Sequence, residues 1–224
     1  MPASDTLILR SFNYYAPPSI DEALELLSTI KESKILAGGQ SLLPLLKLRL
    51  LAPETVVDIG KISGLSYIKE TAGGFVAIGA MTTHDTVEHS ELLQLKCPLL
   101  PEAAGKIGDQ QVRNRGTIGG SLCHADPAAD LPVAILALGG EIVSVGRSGE
   151  RVVRAQEFFV DLFTTALREG EMMKEVRVRG FPEGTGWAFM KHSRTEGSLG
   201  IVNVATVITL DKESICTDAR VALG

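Results

Sequence analysis

Two stretches decide how this chain folds. One is Ala37-Gly38-Gly39-Gln40-Ser41-Leu42-Leu43-Pro44. The other is Gln111-Val112-Arg113-Asn114-Arg115-Gly116-Thr117-Ile118-Gly119-Gly120-Ser121, which continues into Asp126-Pro127-Ala128-Ala129-Asp130-Leu131-Pro132-Val133. The first glycine pair follows the apolar Ile35-Leu36, the second follows Arg115 to Ile118, and each leads into a candidate helix. Glycine permits a positive φ and lets backbone approach a ligand with no Cβ in the way. A helix that starts just beyond adds unpaired N–H groups and the positive end of a dipole. Found twice, this arrangement is what an anion such as a pyrophosphate needs.

No G-x-G-x-x-G follows a strand, and no G-x-x-x-x-G-K-[ST] is present, so neither a Rossmann site nor a P-loop is indicated. Neither stretch has a flanking lysine to neutralise a triphosphate. The donors would be backbone N–H groups with the hydroxyls of Ser41, Thr117 and Ser121. At roughly 1.5–3 kcal/mol per charge-assisted hydrogen bond, a few such donors hold a pyrophosphate without a salt bridge. That suits a dinucleotide kept as a permanent cofactor.

The rest of the composition narrows the class. With 224 residues, 45% hydrophobic and 22% charged, the chain has the balance of a globular protein large enough for real cores. Its net charge of −5 argues against a nucleic-acid or anionic-membrane partner. There is no window of ~18 uncharged apolar residues. The most apolar run, Leu42 to Leu51, is broken by Pro44, Lys47 and Arg49 and reads as a short buried helix. Met1–Asp5 has no basic segment followed by an apolar one, so a cytoplasmic location is expected. Cys97, Cys123 and Cys216 are isolated from one another, and the four histidines lack ligand spacing. No metal site, iron–sulfur cluster or disulfide is therefore expected.

Ser19-Ile20-Asp21-Glu22 is a capping box opening a helix over 20–31. A strand over 34–37, a helix over 42–50 and a strand over 55–59 complete an α/β unit. From Leu65 the texture changes: hairpins are expected over 65–80 and 141–154, and helices over 83–89, 99–107 and 128–138. Asp126-Pro127 is read as the start of the last of these. A helix over 156–163 and a strand over 172–178 follow. The Gly180–Gly186 loop is a junction before β-rich segments over 187–191, 200–210 and 214–223.

Taken together, Ala37–Pro44, Gln111–Ser121 and Asp126–Val133 resemble the FAD-binding (medium) subunit of the molybdenum hydroxylases, of the carbon monoxide dehydrogenase and xanthine dehydrogenase type. The resemblance covers nearly the whole chain in order. It implies an α+β fold in which two FAD-binding subdomains of the vanillyl-alcohol-oxidase/PCMH-like kind, residues 1–60 and 61–179, precede a C-terminal α/β domain. That domain, over 187–224, is expected to be incomplete, because the family continues further. By position, Leu36, Gly38, Gly39, Gln40 and Ser41 would form one half of a phosphate cradle, and Thr117, Gly119, Gly120 and Ser121 the other. Asp130 would bond the ribose or ribityl side, with Asp126 near it. Met173 would lie against adenine or flavin, and Lys191 near the isoalloxazine ring. No catalytic residue is assigned.

The resemblance further implies an electron-transfer flavoprotein with FAD as cofactor. Its partners would be a [2Fe–2S] small subunit and a molybdopterin large subunit, with NAD or a quinone as acceptor. Two other readings stand beside it. A stand-alone flavin oxidase or dehydrogenase would need a general base near the flavin, and no Tyr/His/Arg constellation stands out. A non-redox nucleotide-binding module, a truncated paralogue of the FAD-binding chains that has lost FAD, would be colourless when purified.

Overall fold

A computed structural model describes residues 9–224, so Met1–Asp5, on which the expectation of no export signal rests, lies outside the described residues. The first unit runs β1 (Asn13–Tyr15), α1 (Ile20–Thr29), β2 (Ser33–Leu36), α2 (Leu42–Lys47) and β3 (Thr55–Asp58). Ser19 caps α1 by accepting from the Glu22 N–H, and its hydroxyl meets the Glu22 carboxylate at 3.0 Å. The three strands form a parallel sheet in the order β1-β3-β2. Ala23, Leu24 and Leu27 of α1 pack onto Val57 and Ile59 beneath it.

The second unit is a five-stranded antiparallel sheet with helices inserted between its strands. Its elements are β4 (Ile68–Thr71), β5 (Phe75–Gly79), α3 (His84–Glu88), α4 (Glu91–Lys96), α5 (Leu99–Gly105), α6 (Gln110–Arg113), α7 (Ile118–His124), α8 (Asp130–Leu138), β6 (Glu141–Gly146), β7 (Gly149–Arg154), α9 (Ala155–Phe158), β8 (Phe159–Asp161), β9 (Thr164–Thr165) and β10 (Met172–Arg179). The main sheet order is β4-β5-β10-β6-β7, and β8 with β9 makes a separate hairpin. Helix α8 is buried almost all round, which its composition requires: Leu131, Val133, Ala134, Ile135, Ala137 and Leu138 leave it no polar face.

A third sheet, β11 (Thr185–His192), β12 (Val202–Leu210) and β13 (Cys216–Leu223), is antiparallel in that order. Its inward residues Phe189, Ala205, Val207 and Ala222 belong to the same apolar core as α8 and β10. Met190, Ile208, Val221 and Leu223 are exposed. Among the described residues no helix is long and apolar enough to cross a membrane.

Several boundaries differ from the sequence reading. Asp126-Pro127 stands a turn before α8: Asp126 Oδ1 accepts from the Ala128 N–H in a local turn, and Ala129 is the N-cap. The helix expected over 156–163 is a single turn, α9, followed by the β8–β9 hairpin, because Phe158 is driven into the core. Helix α2 stops at Lys47, since Arg49 takes a left-handed φ of 58°. Strand β1 and helix α4, the latter capped by Ser90, carry no expectation from sequence.

Candidate functional site

Strand β2 delivers the chain to Ala37, and Gly39, at φ 78°, turns it into α2. Among the described residues, no acceptor takes a hydrogen bond from the backbone N–H of Gly38, Gly39, Gln40, Ser41 or Leu42. Consecutive unpaired donors of this kind form a concavity for an anion. The Ser41 side chain makes no cap bond, and among the described residues its hydroxyl has no hydrogen-bond partner.

The second stretch is built differently. Thr117 is the N-cap of α7, so Gly119 and Gly120 sit inside the first turn of a helix and not ahead of it. Every N–H of that turn is used within the chain: Ile118 donates to Thr82 O at 3.0 Å, Gly119 to Ala80 O at 2.9 Å, Gly120 to Thr117 Oγ1 at 3.1 Å and Ser121 to Thr117 O at 3.0 Å. The expectation of two N–H cradles therefore needs correcting. The first stretch offers N–H donors, whereas the second has only the hydroxyls of Thr117 and Ser121 to offer.

The glycines of both stretches have a second use, close packing. A Cβ on Gly38 would lie 2.0 Å from the Arg115 carbonyl oxygen. One on Gly119 would lie 2.6 Å from Ala80, and one on Gly120 would sit 2.8 Å from Thr117 Oγ1 and 3.7 Å from the Ala37 Cβ. The two stretches touch because neither has side chains at the contact. Behind them, a Cβ on Gly116 would strike the His84 ring at 2.6 Å, and the His84 N–H donates to Gly116 O at 2.9 Å. Burial, with the positive charge of Arg113 beside it, lowers the His84 imidazole to about 4, so it is neutral.

Asp130 opens α8 and is 3% exposed. Its Oδ2 lies 2.7 Å from Lys191 Nζ, which also donates to Lys106 O at 3.0 Å. Asp130 Oδ1 is buried with no protein partner among the described residues. Burial raises the Asp130 carboxyl above its ordinary value, and Lys191 opposes the rise. Met173 is buried with its sulfur 3.8 Å from Cys123 Sγ on α7, so it packs under the second stretch. Burial pushes the Cys123 thiol up to about 12, leaving it protonated. Leu36 is half-buried at the end of β2.

The site thus has two parts. Gly38 packs on Arg115 and Gly116, and Gly120 lies near Ala37, with Met173 beneath α7. Asp130 and Lys191 form the other part, and Asp126 stands on the turn between α7 and α8 with its Oδ2 4.0 Å from His124 Nε2. Sequence reasoning missed Asn203, which faces Lys191 across the β11–β12 register. Asn203 is fully buried and donates from Nδ2 to Ala128 O at 3.1 Å, so two neighbours on the third sheet grip the turn that leads into α8. The signal was present: an asparagine at an inward position of the alternating run Val202-Asn203-Val204-Ala205 is a buried polar group that must find a partner. The structure also gathers Asp85 and Glu88 of α3 with His89 at its C-terminal end, where Asp85 takes Gln110 at 2.6 Å and Glu88 takes Arg113 at 2.8 Å.

Chemically, the N–H run can hold a diphosphate, and the orphaned Asp130 oxygen can accept a hydroxyl of a sugar or ribityl chain. This donor and acceptor set fits FAD. The FAD binding domain found in molybdopterin dehydrogenases matches residues 10–178 of this chain. The chain belongs to that family, and as such it is an FAD-binding oxidoreductase component with the PCMH-like fold. The carbon monoxide dehydrogenase medium chain of Hydrogenophaga pseudoflava is 43% identical over 218 residues, which is 97% of this chain and 75% of that one. The 6-hydroxypseudooxynicotine dehydrogenase complex subunit alpha of Paenarthrobacter nicotinovorans is 42% identical over 214 residues, 95% of this chain and 72% of that one. A solved structure of carbon monoxide dehydrogenase from Hydrogenophaga pseudoflava that lacks the Mo-pyranopterin moiety of the molybdenum cofactor matches with a TM-score of 0.93 at 43% identity, covering 96% of this chain and 75% of that one.

Proposed function

We propose that the chain is the FAD-binding medium subunit of a molybdenum hydroxylase complex and serves as its electron outlet. In this reading a large molybdopterin subunit oxidises the substrate, and a small [2Fe–2S] subunit relays electrons to the cofactor held here. NAD or a quinone then takes them away. When bound, FAD supplies the one- and two-electron chemistry. The chain's own residues hold and orient it. Gly38, Gly39, Gln40 and Ser41 donate to the diphosphate from one side, and the Thr117 and Ser121 hydroxyls approach from the other. Gly119 and Gly120 allow α7 to come close. Asp130 accepts from the ribose or ribityl side, Asp126 fixes the preceding turn, Lys191 holds Asp130 in place, and Met173 and Leu36 give apolar contact.

The observation that carries this reading is the run of unpaired N–H groups from Gly38 to Leu42 set against a second stretch through Gly38 and Arg115. The separate sheets on either side of Ile59 support residues 1–60 and 61–179 as the two halves of the cofactor-binding region, with 187–224 as part of a third domain. Three free cysteines support a reducing compartment such as the cytoplasm.

The purified, FAD-loaded chain should reduce an artificial dye slowly at the expense of NADH. It should oxidise no purine, aldehyde or carbon monoxide, since those reactions need an oxygen-transferring metal centre in a partner. Substrate-dependent turnover by this chain alone would refute the subunit reading.

A further inference from the structure

The first stretch has no lysine, and the cofactor it is proposed to bind carries two negative charges at its diphosphate. A cation that adds to those N–H donors comes from elsewhere in the fold. Two arginines flank the contact, and they differ in what they already do. Arg113 is committed: its guanidinium lies 2.8 Å from Glu88 Oε2 and also donates to Ile107 O at 3.0 Å and Gln110 Oε1 at 3.1 Å. Arg115, two residues on, is exposed, and among the described residues its side chain has no hydrogen bond, ion pair or ring contact.

The place of Arg115 is set by backbone packing. Its carbonyl oxygen sits where a Cβ on Gly38 would fall, so the Arg115 backbone is in van der Waals contact with the loop that carries the unpaired N–H run. That backbone is pinned from behind by the neighbouring Gly116, whose carbonyl takes the His84 N–H at 2.9 Å. The Arg115 side chain therefore starts from backbone packed against the loop that carries the unpaired N–H run, and it is exposed.

We infer that Arg115 is a diphosphate-binding residue, closing over the cofactor from the side opposite the Gly38–Ser41 donors. The inference rests on the proposed FAD function and names the cation for that site. A guanidinium suits the task, because its planar fork offers two parallel N–H donors to a phosphate and keeps its charge at any working pH. It also accounts for the division of labour between neighbours. Arg113 locks α6 to α3, and Arg115 has no partner among the described residues.

The test is a titration of the full-length apoprotein with FAD, ADP and AMP, in the wild type and in Arg115→Gln and Arg115→Lys. Arg115→Gln should weaken FAD and ADP about ten- to a hundredfold, the value of a charge-assisted contact, and should weaken AMP much less. It should also flatten the salt dependence of ADP binding. Arg115→Lys, which keeps the charge but loses the fork, should fall between, and it carries the test by itself if the Gln variant does not fold. Wild-type affinity for FAD and ADP in the Gln variant would overturn the inference, as would equal losses for ADP and AMP. A wild-type chain that binds neither FAD nor ADP would instead remove the proposed function on which the inference stands.

Discussion

Lys191 on β11 and Asp130 at the start of α8 form a buried ion pair, with Nζ and Oδ2 2.7 Å apart and the side chains only 7% and 3% exposed. The contact joins the third sheet to the helix that follows the second glycine stretch. It also leaves the other Asp130 oxygen without a partner among the described residues. One carboxylate thus ties two parts of the fold together and presents an acceptor.

Breaking this pair from its two sides should have unequal costs. Asp130→Asn leaves a buried ammonium without its counter-charge and should destabilise the chain by about 3–5 kcal/mol. Lys191→Met should cost less, because the remaining carboxyl can take up a proton. Its pKa is already raised by burial, so its contribution to stability is present in acid and lost as pH rises through the folded value. Removing Lys191 raises that value further. Urea unfolding should accordingly show Lys191→Met recovering stability toward acid pH, and Asp130→Asn failing to do so.

His84 sets a pH dependence of the opposite sign. Its folded value of about 4 lies below the ordinary 6.5, so the unfolded chain binds the proton more tightly. The stability this confers is complete above the unfolded value and is lost as pH falls toward the folded one, roughly 3 kcal/mol in all. His84→Gln should flatten denaturation midpoints over that window. A slope unchanged from the wild type would show that another group is responsible.

Gly38→Ala should act on the contact between the two stretches. The added Cβ meets the Arg115 carbonyl oxygen at 2.0 Å, so backbone must move on one side. Loss of FAD affinity of about tenfold or more is expected, read by flavin retention on gel filtration, since a backbone shift misaligns several donors at once. Gly64→Ala is the control: its Cβ would meet nothing within 4 Å, although its φ of 87° adds local strain.

The elements that depend on short-range chemistry were legible in the sequence. The Ser19–Glu22 capping box marks the start of α1, and the glycine stretches mark two segments that the fold brings into contact. What tertiary packing decides was not legible. Gly119-Gly120 has poor helix propensity and is read as leading into a helix, yet Thr117 caps it and Ala80 packs on it, so it becomes the first turn of α7 itself. Lys191 looks like an isolated strand lysine until the β11–β12 register sets it beside Asn203 and over α8. Arg113 and Arg115 are indistinguishable in one dimension, and only the position of Glu88 separates them.

Limited proteolysis should locate the least protected segment of the third sheet. The connection from His192 to Ile201 is held by short-range bonds among Ser193, Thr195 and Ser198, and Leu199 and Ile201 are exposed. Phe189, Ala205 and Val207 lie in the shared core. First cleavage is expected within 193–200, leaving β11 and β12 associated. Early cleavage within β12 would show that the sheet is not docked.

The most direct test of the central claim is the identity of the bound flavin. The purified chain, reconstituted and freed of excess nucleotide, should release FAD on heat denaturation, at about one per chain by chromatography against standards. A site built around a diphosphate should not retain FMN. Release of FMN alone, or no flavin from chain offered excess FAD, would contradict the assignment of the Gly38–Ser41 loop and its partner stretch as an FAD diphosphate site.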